Sequence, residues 1–178
     1  PAELYKDLHM IQNKSISNVS MEVSSEALLH GRVNSLSYDI VGFTNITGDH
    51  LNIHKNFENY VSCKMKLLDL VKDNGVVIVN GDDNTLQTIH CKNVYTFGYD
   101  SKNDFVISCV KYLSKNVKII VKGKEKSYTL ISPFRESFNI YNVVMAFLIA
   151  LFFGVEEEVL LKRVKSLKPI KGRCEFLS

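Results

Sequence analysis

The stretch Asp39-Ile40-Val41-Gly42-Phe43-Thr44-Asn45-Ile46-Thr47-Gly48-Asp49-His50-Leu51 decides how this chain folds. After Asp39, Ile40 to Phe43 form a strongly apolar run, and from Thr44 onward the chain turns polar and ionisable. In open α/β sheets ligands collect just past the carboxyl ends of the strands, so this order reads as a core strand delivering a site. Working outward, Phe57 to Val71 carries apolar residues at helical spacing, and Gly75-Val76-Val77-Ile78-Val79-Asn80 is a β-branched run closed by the turn Gly81-Asp82-Asp83-Asn84. A further strand is predicted at Val94 to Tyr99. Upstream, Ala2 to Asn13 has helical spacing, Val19 to Val23 alternates as a strand does, and Glu26 to Leu29 reads as a short helix.

Beyond Asp104 the alternation of helix and strand stops. Phe105 to Tyr112, Val117 to Val121 and Ser127 to Ile131 succeed one another as strands, separated by Ser114-Lys115-Asn116 and the turn Lys122-Gly123-Lys124-Glu125, which predicts an antiparallel meander over about 104–132. Helices return at Asn139 to Phe153 and Glu156 to Ser166, the latter opened by three acidic residues that suit the positive end of a helix dipole. The expected fold is α/β: a mainly parallel sheet flanked by helices, built from strands near Val19, Ile40, Val76 and Val94, with a small antiparallel meander as an appendage.

With 178 residues and 46% hydrophobic content, the chain can bury a full core, and one domain over 1–178 is expected. The 22 basic and 19 acidic residues are scattered, so the net charge of +3 provides neither a nucleic-acid footprint nor an electrostatic membrane patch. The longest apolar run, Val143 to Phe153, has eleven residues, well short of the roughly 20 a membrane helix needs, and reads as a buried core helix. Cys63, Cys91, Cys109 and Cys174 show no metal-site spacing, and four reduced thiols with no secretory signal point to the cytoplasm.

Several residues could carry chemistry. Glu22 lies within the apolar Val19–Val23 stretch, where a charge either meets a cation or a wet cleft or faces solvent at a strand end. His50, brought beside it if the two strands run parallel, could join it on a divalent cation; alternatively His50 and His54 cap and pack the loop. Lys64 on the next helix has nothing local to set it apart from a solvated lysine. Asn139 and Asn142 share a face of the first turn of a very apolar helix, where they either cap it or read a nucleobase edge.

The order of these residues resembles the central domain of the Mur ligases. The matching blocks are Met21 to Ser25 (MEVSS) with Ala27-Leu28 and Gly31 to Val33, Phe43 to Leu51, and His54 with Tyr60 and Lys64. Val79 to Asp83 (VNGDD), Phe138 to Asn142 (FNIYN) and Gly172-Arg173 complete the set, which runs essentially end to end. Six ordered blocks are far more specific than any one of them. The resemblance implies an ATP-dependent amide ligase that adds the third amino acid to UDP-MurNAc-L-Ala-D-Glu in peptidoglycan synthesis. It implies magnesium held by Glu22, His50 and a carbamate-bearing Lys64, with Lys64 and His50 as the catalytic residues. Ser24 and Arg32 would contact the UDP-MurNAc-dipeptide, and Asn139, Asn142 and Arg173 the ATP. Asp82 and Asp83 are family-like and equally good turn formers.

The chain also departs from that family. The phosphate-cradling G-x-x-x-x-G-K-[ST] loop is absent, since the one Gly-Lys pair of that kind, Gly123-Lys124, continues with Glu125 and has no glycine five residues earlier. Glu26, Gly48, Asn52, Lys55 and Glu136 stand where relatives usually carry other residues. The expectation is therefore a piece of a larger ligase, silent by itself and prone to self-association through a sheet position left open. Two alternatives remain: a cyanophycin- or folylpolyglutamate-synthetase relative, or a non-catalytic binding module on the same scaffold.

Overall fold

Burial on both faces marks the centre of the sheet. In the strand Val71–Asn80 (β2) every residue from Val77 to Asn80 is buried, the signature of a parallel strand covered on both sides. The computed structural model describes residues 2–14, 16–48 and 51–168, and the chain packs as two units, Pro1–Tyr38 with Gly48–Lys72 and Asp39–Thr47 with Asp73–Ser178.

The first unit is helical. Helix Ala2–Asn13 (α1) lies where its spacing predicts and half-buries the stripe Leu4, Tyr5, Leu8 and Ile11, while no residue in it is fully buried. The strand expected at Val19 to Val23 does not form. Alternation alone supplies no ladder partner, and Val19 keeps 51% of its surface exposed. Glu22 is accordingly an exposed residue of an extended lead-in rather than a charge inside a strand.

That lead-in ends as a helix cap. Ser24 holds extended backbone angles and its Oγ accepts from the Ala27 amide at 3.1 Å, starting helix Ser25–Leu29 (α2). α2 stops on a Schellman pair, Arg32 N donating to the Ala27 carbonyl and Gly31 N to that of Leu28, with Gly31 at φ +62° where a side chain is disfavoured. Helices Leu51–His54 (α3) and Phe57–Met65 (α4) come next, α4 capped by Asn56 through the Asn59 amide. The expected continuation to Val71 is corrected: a 3-10 turn over Lys66–Leu70 takes over, and Val71 already belongs to β2. Tightening to three residues per turn puts Leu67 and Leu70 in line and lets the chain pass from helix to strand without a loop.

The second unit holds a six-stranded sheet in the order β1 to β6: Tyr38–Phe43 (β1), β2, Val94–Gly98 (β3), Phe105–Tyr112 (β4), Val117–Lys122 (β5) and Ser127–Ser132 (β6). β2 and β3 pair in parallel from Val77↔Val94 to Asn80↔Phe97, and β3 joins β4 in parallel through Phe97↔Phe105 and Gly98↔Val106. β4–β5 and β5–β6 are antiparallel, with a register shift between Ile107 and Cys109. The meander is thus no appendage: the β3–β4 ladder makes it half of the same sheet. Since only the first two residues of β4 pair with β3, the rest of β4 runs on past the carboxyl end of β3.

Helix Ser137–Phe152 (α5) supplies the core's other layer. Ile140, Val143, Val144, Phe147 and Leu148 pack with Ile78, Phe97, Ile107, Ile119, Val121 and Leu130 in one cluster. Each such side chain contributes about 1.5–3 kcal/mol by leaving water. Gly42 of β1 lies tight under α5, since a Cβ there would sit 2.8 Å from Met145 Sδ. Helix Glu157–Lys165 (α6) packs along β6, with Lys126 pairing to Glu157. Among the described residues no helix is long and apolar enough to cross a membrane.

Candidate functional site

Of the expected metal and substrate residues, Glu22, Ser24, Arg32 and Lys64 are described, and all four belong to the first unit. Lys64 is in the last turn of α4, half-buried, with its ammonium 5.4 Å from the centroid of the buried Tyr60 ring. The same unit holds a pair that the sequence did not single out together: His54 Nε2 and Ser25 Oγ are 3.0 Å apart and both residues are buried. The His54 ring also stands 5.3 Å from Tyr60, and the Cys63 thiol donates to the Ser25 carbonyl at 3.1 Å. Burial pushes that thiol up, while Lys66 and Lys64 pull it down. Of the two readings open for His54, packing holds. Its backbone carbonyl accepts from Asn59 Nδ2, so His54 braces the start of α4, and α2, α3 and α4 are locked around one polar knot.

Ser24 and Arg32 sit at the two ends of α2, both exposed, with the Arg32 carbonyl accepting from the Tyr5 hydroxyl. Ser24 Oγ serves as the cap acceptor, which leaves its own proton available for donation. His50 and Arg173 lie outside the described residues. Among the described residues, no three His, Cys, Asp or Glu side chains form a group able to hold a metal.

In the second unit the carboxyl edge of the sheet is organised by two adjacent carboxylates. Asp82 Oδ2 accepts from Tyr99 N at 2.6 Å and the Tyr141 hydroxyl at 2.8 Å; Oδ1 accepts from Asp100 N at 3.0 Å and Asn103 Nδ2 at 3.1 Å. Burial alone would lift this carboxyl, but those four donors outweigh it and hold the group below the usual aspartate range. Tyr141 moves the other way: burial and the Asp82 carboxylate push its hydroxyl well up, so it stays a donor. Asp83 Oδ2 accepts from Ile46 N at 2.7 Å, and its Oδ1 from Thr85 and Leu86 amides. Asn80 Nδ2 donates to the Thr44 carbonyl at 2.9 Å, so β1 and β2 end side by side.

These residues staple the loops after β1, β2 and β3 to α5. Both aspartates are more than turn formers, and the sequence shows only one half of each contact. At the start of α5, Asn139 Nδ2 donates to Glu136 Oε2 at 2.9 Å and Asn142 Nδ2 lies 3.4 Å from Asn139 Oδ1. The Asn139 amide, with help from the Arg135 amide and guanidinium, keeps Glu136 below the normal carboxylate range. Neither asparagine is the α5 cap residue, which is Glu136, so capping in the strict sense is not their role.

This architecture is that of an α/β domain with a mixed six-stranded sheet, and comparison specifies it. Residues 1–150 match the Mur ligase middle domain, and the chain belongs to that family. It is 34% identical over 179 residues to UDP-N-acetylmuramoyl-L-alanyl-D-glutamate--2,6-diaminopimelate ligase 2 of Clostridium acetobutylicum, covering 99% of this chain and 36% of that protein. It is 29% identical over 181 residues to the corresponding L-lysine ligase of Staphylococcus aureus, covering 98% and 37%. A solved UDP-N-acetylmuramoyl-L-alanyl-D-glutamate--2,6-diaminopimelate ligase superimposes with a TM-score of 0.86 at 24% identity, over 99% of this chain and 38% of that one. The chain therefore spans a little over a third of the length of the relatives it matches.

Proposed function

We propose that this chain is the central part of an ATP-dependent amide ligase that adds the third amino acid to UDP-MurNAc-L-Ala-D-Glu in the cytoplasm. The observation that carries this reading is near-complete coverage of the chain by two relatives that are named for that substrate and differ only in the amino acid joined. In the reaction the γ-carboxylate oxygen of the D-glutamate attacks the terminal phosphorus of ATP, releasing ADP and leaving an acyl phosphate. The incoming amine then attacks the acyl carbon, the amide forms, and phosphate leaves.

The donor set of the first unit suits magnesium, a hard cation that takes oxygen ligands. Glu22 offers an exposed carboxylate, and Lys64, half-buried at the end of α4, would become an oxygen donor on gaining a carbamate. With His50 these residues would hold the ion, which when bound neutralises charge on the transferring phosphoryl group. Tyr60 and the Ser25–His54 pair fix the helix from which Lys64 projects. Ser24 and Arg32 supply a hydroxyl and a guanidinium for the anionic UDP-MurNAc-dipeptide. Asn139, Asn142 and Arg173 serve ATP, at the carboxyl edge where α/β sheets take nucleotides.

The test is amino-acid-dependent ADP release by the product of the whole gene, with UDP-MurNAc-L-Ala-D-Glu and either lysine or diaminopimelate. Release that needs the dipeptide supports the reading, and release indifferent to it overturns it.

A further inference from the structure

The antiparallel half of the sheet has two faces, and the core uses one of them. Ile107, Ile119 and Leu130 pack in the cluster with α5, so the residues that alternate with them face the other way. Directly opposed residues share a face: the ladders set Val106 beside Lys122, and Lys111 beside Lys118, which in turn lies beside Ile131. Ile120 stands between these two rows. The result is a diagonal of half-buried apolar side chains, Val106, Ile120 and Ile131, one from each strand, with Lys111 and Lys118 along one side and Lys122 along the other. Lys111 directly opposite Lys118 is an arrangement of like charges that weakens a sheet, and β4, β5 and β6 contain no acidic residue to offset it. Asp104, just before β4, is engaged by the Thr96 amide and hydroxyl, and Lys126 is the lysine that pairs with Glu157. Among the described residues Lys111, Lys118 and Lys122 have no ion-pair partner. At its Val106 end the diagonal opens into a depression of about 550 Å³ whose lining includes Ser101, Ser108, Lys122 and Lys124.

The diagonal is roughly 16 Å long at strand spacings of about 4.8 Å and a rise of about 3.3 Å per residue, which equals about three turns of an α-helix. Apolar along its middle and cationic on both flanks, the face complements a helix whose apolar stripe is bordered by carboxylates. Its apolar side chains lie half-buried between the lysines, which gives a bilayer nothing to draw in, and no aromatic ring on the face invites a nucleic-acid base. A face this charged is stable in water by itself, which suits a partner that comes and goes rather than an obligate subunit. We propose that this face docks an acidic amphipathic helix of a separate protein, its apolar stripe on Val106, Ile120 and Ile131 and its flanking carboxylates on Lys111, Lys118 and Lys122. Such a contact also relieves the repulsion between Lys111 and Lys118. Nothing in this docking depends on the ligase reading.

The probe is a synthetic helical peptide of about three to four turns with leucines along one stripe and glutamates on both sides of it, set against a peptide of the same composition shuffled so that the stripe is lost. Fluorescence anisotropy with the product of the whole gene reads affinity at low and at physiological ionic strength. The striped peptide is expected to bind about tenfold tighter than the shuffled one and to weaken as salt rises. Lys118→Glu and Lys122→Glu should each lower its affinity about fivefold or more, while Lys162→Glu on the exposed side of α6 leaves it unchanged. Lys118→Glu turns the like-charge pair with Lys111 into an opposite one, so the fold is kept, and an unchanged melting temperature verifies this for each variant. A carbodiimide, which joins a glutamate carboxylate to a lysine amine as an amide with net loss of water, should couple the striped peptide to Lys111, Lys118 or Lys122. Equal binding of the two peptides, binding that ignores both charge reversals, or coupling only elsewhere overturns the docking site. Adsorption to phosphatidylserine–phosphatidylcholine vesicles that the reversals abolish and the striped peptide does not compete away overturns the helix as occupant in favour of a membrane.

Discussion

Asp82→Asn is the sharpest perturbation of the carboxyl edge, because it keeps the shape of the side chain and changes what it can accept. Each carboxylate oxygen takes two donors, Oδ1 from Asp100 N and Asn103 Nδ2, Oδ2 from Tyr99 N and the Tyr141 hydroxyl. An amide retains one acceptor oxygen, so whichever way it turns, its NH2 faces two groups that also donate. Two hydrogen bonds to a charged group are worth about 1.5–3 kcal/mol each, and partial exposure of Asp82 discounts the sum to about 2–4 kcal/mol. Reorientation cannot rescue the site on the backbone side, since Gly98 already lies so close that a Cβ there would stand 2.4 Å from Asp82 Oδ1. Urea unfolding at neutral pH measures the loss. The depressed carboxyl sets the sign with pH: its contribution is complete above the unfolded aspartate value of about 3.9 and disappears as pH falls through the lower folded value. Parent and variant should therefore differ most at neutral pH and converge in strong acid. A loss under about 0.5 kcal/mol at neutral pH, the level of an ordinary surface change, would refute the role given to Asp82.

Ser25→Ala should cost about 1–3 kcal/mol in the same assay, because it leaves His54 Nε2 buried without its partner; an unchanged midpoint would mean the 3.0 Å contact carries no weight. Leu148→Ala, at a fully buried position of α5, should cost about 2–5 kcal/mol, and a smaller loss would show that the core collapses around the gap. Lys64→Ala in the product of the whole gene should abolish dipeptide-dependent ADP release while leaving its melting temperature close to the parent's; retained activity removes Lys64 from the metal site. The 178-residue chain itself should show no ATP hydrolysis, since most affinity and catalysis at such sites comes from phosphate-loop amides that are not in this sequence. β1 is the terminal strand of the sheet, so light scattering should report self-association through strand pairing; turnover, or a monomer at all concentrations, contradicts the respective half.

What the sequence discloses is what near neighbours decide. β4 lies over Phe105–Tyr112 as read, and β5, β6, α5 and α6 agree to within a residue or two, because periodicity, β-branching and turn residues are local properties. Val19 to Val23 has the same local signature as β6 and still forms no strand, since pairing depends on a partner that alternation does not name. The helix expected through Val71 fails for a related reason: apolar spacing at Leu67, Leu68 and Leu70 suits a 3-10 turn as well as an α-helix.

The candidate site divides along the same line. Ser24 could be found as a polar residue before a helix, and it is one, but its use as the α2 cap is a structural role that the family resemblance did not require. Asp82 looked like a turn residue because the turn is adjacent in sequence, whereas Tyr99, Asn103 and Tyr141 stand 17, 21 and 59 residues away. The chain places these donors around one carboxylate because the parallel pairs β2–β3 and β3–β4 bring the loops after β2 and β3 to the same edge of the sheet and α5 presents Tyr141 to it. A parallel sheet thus collects distant loops at one rim without asking them to share any sequence pattern. That rim is where Tyr99 and Tyr112 stay exposed, although each, read singly, is only a tyrosine at the end of a strand. For Tyr112 the exposure follows from β4 running past β3: at that height β4 has only β5 beside it, through Tyr112↔Val117, and on its other side the Arg135 guanidinium is the group that reaches the ring.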